Sequence, residues 1–279
     1  MIKRILRRLV NSTMSWLNAG LSDEPLFHSA LYSWTNKDYL ALLQDEKCNS
    51  AVTWGILQSA ATAKRLGVSR ISMIEFGVAG GNGLISMEHI IKKVEALVGI
   101  EIALFGFDTG TGLPAIEDYR DKPHVHEAGD FPMDFDKLQA RLTKAKLIIG
   151  DIKDTITGFV ESKPDPVAFI VFDVDMYSST VSAFRLLEAS ESVLMQRVFC
   201  FFDDYLACGD FDGERLAVAE FNETHPMRKI SPIHGLSYMV PERLSRRAYW
   251  HKYRMAYIFD HSKYAVNQEL VQHDWVVLK

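Results

Sequence analysis

Cysteine is scarce in this chain. Cys48, Cys200 and Cys208 are the only three among 279 residues. None stands in the Cys-x-x-Cys spacing of a zinc site, and an odd, scattered set reads as free thiols in a reducing compartment. Long apolar runs are missing too, since no stretch approaches the roughly 20 residues needed to span a bilayer. The basic start MIKRILRRLV lacks the uninterrupted apolar centre of a secretory signal, so a cytoplasmic location is expected. Charge of one sign is not in excess: a net charge of -5 creates no field that would gather a duplex, and nucleic acid is not an expected partner. Internal repeats and low-complexity segments are absent, which excludes solenoids and disordered tracts.

The composition that remains, 48% hydrophobic and 24% charged, supplies the core of an ordinary globular protein. Helical periodicity occupies the first part of the chain, around 2–17, 36–47 and 50–66, with no strand-like run between. We expect an N-terminal helical cap over 1–66 and one main α/β domain over 67–279. Within the first pattern, Ile2, Ile5, Leu6 and Leu9 form a stripe opposite Lys3, Arg4, Arg7 and Arg8. Such a helix docks on its own domain or on a second subunit, leaving a homodimer open, or makes weak contact with an anionic membrane surface.

From Arg70 onward, short β-rich runs alternate with helical stretches, the pattern of a mostly parallel sheet with helices on both faces. The runs are ISMIEFG, ALFGFD, KLIIGD, VAFIVFD and RVFCFFD. Later segments KISPI, GLSYMV and YRMAYIFD offer a closing antiparallel pair. Four of the first five runs end in an acid, at Asp108, Asp151, Asp173 and Asp203, and the other carries Glu75 before its glycine. Function in open α/β sheets sits at such carboxyl ends.

The first run opens into Gly77-Val-Ala-Gly-Gly81, where glycines at 77, 80 and 81 let a ligand approach the backbone. The spacing is not the G-x-G-x-x-G that seats a pyrophosphate on a helix N-terminus, which argues against a nicotinamide-dependent oxidoreductase and for a ligand without phosphate. Asp108 is placed to accept hydrogen bonds from both ribose hydroxyls of a nucleoside, and Gly150-Asp151 to hold an adenine edge. Each of these acids also suits the capping of a following helix. Asp173 and Asp175 close one strand and Asp203 and Asp204 the next, about 4.8 Å away if the strands are neighbours. Four crowded carboxylates repel one another unless protons or a cation relieve them, and hard oxygen donors favour Mg²⁺ or a similar ion.

The motifs E-F-G-V-A-G-G at 75–81, F-D-T-G-T-G-L-P at 107–114, G-D at 150–151, D-V-D-M-Y-S-S-T at 173–180 and F-D-D-Y at 202–205 together resemble the macrocin and novobiocin type of O-methyltransferase. The resemblance covers about 70–230. It implies a Rossmann-like class I methyltransferase fold with a seven-stranded sheet, S-adenosylmethionine as cofactor and a divalent metal. It further implies cofactor contacts at Glu75, Gly77, Gly81, Asp108, Thr109, Gly150, Asp151 and Asp173, metal ligands at Asp173, Asp203 and Asp204, and Asp175 as general base. Val174 departs from the D-G-D more usual in that family.

The expected activity is metal-assisted methyl transfer to a hydroxyl of a small molecule such as a sugar or glycosylated metabolite. The competing reading is a non-catalytic nucleotide-binding protein that keeps the fold and acts through partners. Histidines 124, 126 and 234 are alternative bases, although each reads more simply as a surface residue. Two irregular stretches remain. The first, 109–134, has the Gly, Pro and charge content of a lid. The second, 241–252, carries Arg243, Arg246, Arg247 and Lys252 beside Tyr249 and Trp250; it suits either a grip on a substrate anion or a solvated charged hairpin.

Overall fold

The computed structural model describes residues 37–240 and 242–265. The amphipathic stripe at 2–9 lies outside the described residues. Five apolar runs form parallel strands where the sequence predicts them: β1 (Arg70–Phe76), β2 (Glu101–Asp108), β3 (Lys146–Ile149), β4 (Val167–Phe172) and β5 (Leu194–Phe202). β4 is buried at every position and β1 at all but its first, as strands covered on both faces must be. The closing pair is β6 (Arg228–Pro232) and β7 (Tyr253–Ile258), with β7 inserted antiparallel between β5 and β6. The sheet is seven-stranded, in the order β3-β2-β1-β4-β5-β7-β6. The strand order therefore reverses between β1 and β4, where open α/β sheets leave a crevice for ligands.

One expected strand segment is corrected. GLSYMV does not join the sheet, because Gly235 turns left-handed at a φ of 73° and starts a short helix, Leu236–Met239.

The sheet is covered on both faces. Helix α1 (Thr53–Arg65) and α2 (Asn82–Val98) pack together on one face, with α1 against β4 and β5. Trp54 of α1 meets Phe199 of β5 edge-on at 5.8 Å and Tyr253 of β7 at 5.0 Å. On the opposite face lie the helix Ile152–Glu161, the helix Tyr177–Phe184 and the helix Gly213–Thr224. Phe159 there contacts Phe107, and Phe184 contacts Phe172 and Phe202. Side chains on a strand alternate between faces, so Phe199 and Phe202 of one strand serve the two opposite layers. The helix at 53–65 thus shares its core with the sheet; every residue from Thr53 to Ala63 is buried.

Trp54 is fully buried among three aromatic rings. Trp54→Ala is expected to cost about 3–5 kcal/mol through lost contacts and a cavity. Urea unfolding measures this, and a loss below about 1 kcal/mol would show that α1 contributes little to the common core.

Candidate active site

Four phenylalanines lie in register across the sheet. Phe107, Phe76, Phe172 and Phe202 are successive ladder partners on β2, β1, β4 and β5. Phe76 stacks on Phe172 at 5.7 Å and Phe172 on Phe202 at 4.5 Å, while Phe107 meets Phe76 at 4.9 Å. The residue after each is Asp108, Gly77, Asp173 or Asp203. Three of these continue the ladder by one rung: Gly77 N–H donates to the Phe107 carbonyl, Asp173 N–H to that of Phe76 and Asp203 N–H to that of Phe172, each at 2.9 Å. A dry aromatic floor thus underlies a row of glycine and carboxylates at one edge.

The glycine turn is held by a carboxylate. Asp108 Oδ2 accepts from Val78 N–H at 2.9 Å and Ala79 N–H at 2.8 Å, and Oδ1 accepts from Gly110 N–H at 2.7 Å. Gly77 has a φ of 82°, and a Cβ there would collide with the Asp173 carbonyl oxygen, so only glycine lets β1 turn this close to β4. A cavity of about 250 Å³ opens here, bounded by Gly77, Asp108, Thr109, Asp151, Asp173, Asp175, Asp203 and Asp204. Asp151 both borders it and caps the following helix, accepting from Lys153 N–H at 3.1 Å.

Three expected cofactor contacts do not border the cavity. Glu75 is buried beneath the turn against Gly83, and burial beside Asp173 and Asp108 holds its carboxyl well above the usual range. Gly81 starts α2 in a left-handed conformation against Leu138, and Gly150 positions its neighbour Asp151.

The carboxylates beyond β4 and β5 converge as the spacing suggests, and the site is more crowded than the sequence shows. Asp173 opens onto the cavity, yet burial of its carboxyl and the charges of Asp203 and Asp204 push it up to about 7. Asp175 stands at a φ of 60°, a strained conformation for a residue other than glycine. The departure at Val174 is accommodated without such strain, since Val174 tucks into the core at 5% exposure. Asp175 and Asp204 share a hydrogen bond; burial, with the charge of Asp203, raises Asp175, and burial, with the charges of Asp175 and Asp203, raises Asp204 to about 6.

A fifth carboxylate, Glu214, is fully buried within range of all four aspartates with neither oxygen hydrogen-bonded, and burial drives it well above its ordinary value. Nothing in GERLAVAEFN distinguishes it from a helix-surface glutamate. Two ammonium groups answer this charge. Lys252 Nζ donates to Asp203 Oδ1 at 2.9 Å. Lys122, buried in the long loop, lowers Asp175 and Asp204 and lies 3.9 Å from Cys208 Sγ. Of the candidate histidines, 124 and 234 are exposed, whereas His126 is buried, close enough to feel Asp204, with Nε2 unpartnered; burial lowers it.

The stretch 109–134 is fastened down. Asp121, at 1% exposure, accepts from Ser178 N–H at 2.8 Å and Ser178 Oγ at 3.0 Å, so it caps the helix Tyr177–Phe184 from across the fold. The local N-cap, Met176, has no side chain for this. Arg120 stacks on the Tyr177 ring at 4.2 Å and donates to its hydroxyl, which in turn donates to Glu220. Leu113 and Asp130 close the loop base with a 2.8 Å hydrogen bond. The stretch expected to be a lid is thus pinned at its middle. The segment 241–252 is likewise no solvated hairpin at its end, because Trp250 is buried and Lys252 turns inward.

The donor chemistry fits a hard divalent cation: Asp173, Asp203 and Asp204 are all oxygen donors, and Asp204 Oδ2 is buried without a partner. As they stand, no three acidic, histidine or cysteine side chains among the described residues are gathered closely enough to hold an ion. Asp203 is engaged by Lys252 instead. No described helix is long and apolar enough to cross a membrane.

No family model matches this chain, and no curated protein does. Similar solved structures include CalS11, a calicheamicin methyltransferase, at 21% identity and a TM-score of 0.48 over 73% of this chain and 88% of that one. Rv0187 from MTB, in a cofactor-bound structure, is similar at 14% identity and a TM-score of 0.40 over 88% and 96%. An O-methyltransferase from Bacillus cereus, in complex with SAH, is similar at 9% identity and a TM-score of 0.40 over 81% and 99%. At these identities the likeness is one of chain path.

Two outcomes follow from this geometry. Asp121→Ala leaves the Ser178 amide uncapped and is expected to cost about 1–3 kcal/mol. It should also speed proteolytic cutting within 109–134, and a cutting rate equal to wild type would show that Asp121 does not pin the cover.

The raised carboxyls also set a pH dependence. Asp173 and Asp204 have folded values of about 7 and about 6 against an ordinary 3.8. The folded chain therefore binds more protons than the unfolded chain between those limits, and stability falls as pH rises through pH 4 to 7. His126, lowered by burial, acts with the opposite sign, but Glu75 and Glu214 add to the acids. In chelator, the denaturation midpoint should be higher at pH 5 than at pH 7.5; the reverse order would show that the cluster is not strained by charge.

Proposed function

We propose that this chain is an S-adenosylmethionine-dependent O-methyltransferase acting on a hydroxyl of a small molecule, such as a sugar or glycosylated metabolite, with assistance from a divalent cation. The observation that carries this reading is the single cavity joining the Asp108 and glycine-turn end of β1 and β2 to the aspartates beyond β4 and β5. One end offers close backbone approach at the glycine turn, whose spacing lacks the G-x-G-x-x-G phosphate seat. The other offers proton acceptors. The ordered set of motifs from 75 to 205 supports the same reading.

In this reading Gly77 lets the cofactor lie against the backbone, Thr109 and Asp151 flank its adenosine, and Asp108 holds the turn rigid as well as meeting the ribose. The row of phenylalanines keeps water from beneath the reacting atoms, which strengthens every charge interaction above it. Asp175 takes the proton of the acceptor hydroxyl as the oxygen attacks the methyl group. Its backbone is left-handed and its side chain meets Asp204 by a hydrogen bond. Asp173, Asp203 and Asp204 would hold the cation, which when bound supplies a Lewis acid that lowers the hydroxyl pKa. Asp175, which shares a hydrogen bond with Asp204, would act as the base in its ionised form.

Calorimetry with S-adenosylhomocysteine and methyl incorporation into a panel of hydroxylated acceptors test the proposal. Asp175→Asn should lower transfer by about 100-fold or more while leaving cofactor affinity unchanged. Asp108→Ala should weaken cofactor binding by about 1–3 kcal/mol. Cofactor binding with no transfer to any acceptor would favour the non-catalytic nucleotide-binding alternative, and transfer that survives chelator would remove the cation.

A further inference from the structure

We propose that Lys252 is a resident counter-cation that competes with the divalent ion for Asp203 and sets how tightly that ion is held. This rests on the metal-assisted reading above. The Lys252 ammonium sits 2.9 Å from Asp203 Oδ1, with the lysine side chain 22% exposed and the aspartate 45% exposed. It lies 5.8 Å from the centre of the Phe201 ring, and its charge also acts on Asp173. The position is imposed by the sheet. β7 pairs with β5 so that Tyr253 lies opposite Phe201; the residue before Tyr253 is thereby brought beside the strand end that carries Asp203.

An ammonium and a divalent ion cannot both take the same carboxylate oxygen at close range, because they repel each other in a site with low-dielectric walls. With Lys252 in place, one oxygen of Asp203 is already engaged, while Asp204 Oδ2 has no partner. This accounts for three acids of suitable chemistry standing near one another without forming an ion-binding group. The lysine stem is flexible and its head is a compact point charge, so the ammonium can swing off Asp203 when the ion enters and return when it leaves. Lys252 is in this sense a positioning residue. It keeps a carboxylate ordered and compensated in the ion-free enzyme, and its displacement is a cost that ion binding must meet. The basic segment at 241–252 thus turns one charge, that of Lys252, inward onto Asp203.

The test is ion affinity, read without turnover. Mg²⁺ and Mn²⁺ are titrated by calorimetry into the full-length protein with S-adenosylhomocysteine bound, for wild type, Lys252→Met, Lys252→Gln, Lys252→Arg and Asp203→Asn. Removing the competing charge should tighten the ion about three- to tenfold in Lys252→Met and Lys252→Gln. Lys252→Arg should stay near wild type, and Asp203→Asn should lose the ion. A gain of affinity does not arise from misfolding, and unchanged S-adenosylhomocysteine binding checks that the cavity is intact. Wild type that binds the ion while both neutral variants bind it equally or more weakly would overturn the competition. No ion binding by any variant would overturn the metal-assisted reading and the competition with it.

Discussion

Everything at the site depends on a register: Phe107, Phe76, Phe172 and Phe202 stand side by side as ladder partners on four parallel strands. Parallel pairing fixes neighbouring strands to within one residue, because a slip by one would turn every buried ring to the other face. Once the rings stack, the residues that follow them have no freedom to be elsewhere. Gly77, Asp108, Asp173 and Asp203 leave the sheet in a line, and three backbone hydrogen bonds carry the ladder one rung past the rings. The same stacking excludes water from below. The aromatic runs are core, and they act on the chemistry only through the positions and the dielectric they impose.

The second constraint is charge. Five carboxylates converge, and two buried or half-buried lysines answer them, Lys122 from the pinned loop and Lys252 from the turn before β7. Desolvation disfavours the charged forms of Asp173, Asp175, Asp204 and Glu214. Burial and neighbouring charge accordingly push Asp173 up to about 7 and Asp204 to about 6, and raise Asp175 in the same direction. The pinned loop serves the same end, since Asp121 holds the segment that delivers Lys122 and His126 to the cluster.

The strands, the glycine turn and the acids at the strand ends were legible in the sequence because each is a local matter. β-rich runs bounded by glycine and acid signal where a buried parallel strand stops, and the order of the runs is the order of the crossovers. The antiparallel pair of KISPI and YRMAYIFD was legible for the same reason. GLSYMV was misread because a short apolar run carries no period long enough to tell a strand from a helical turn. The surroundings of the acids were not legible. Glu214 lies on a helix whose pattern marks no buried charge, and Asp121 caps a helix 57 residues away from it. A capping carboxylate normally sits beside the helix it caps, and nothing local announces one that arrives from elsewhere.

The sequence by itself determined which residues end the strands, and with them an α/β sheet that offers glycine, acid and acid again at one edge. Alternation and propensity act over a few residues, so they are written where they act. Only the tertiary structure decided how that edge is compensated: Lys252 meets Asp203 because β7 returns antiparallel beside β5, and Lys122 reaches Asp175 and Asp204 because Asp121 fastens its loop to a distant helix. These are long-range contacts set by chain closure, and the energy of a buried charge depends on every neighbour the closed chain brings to it.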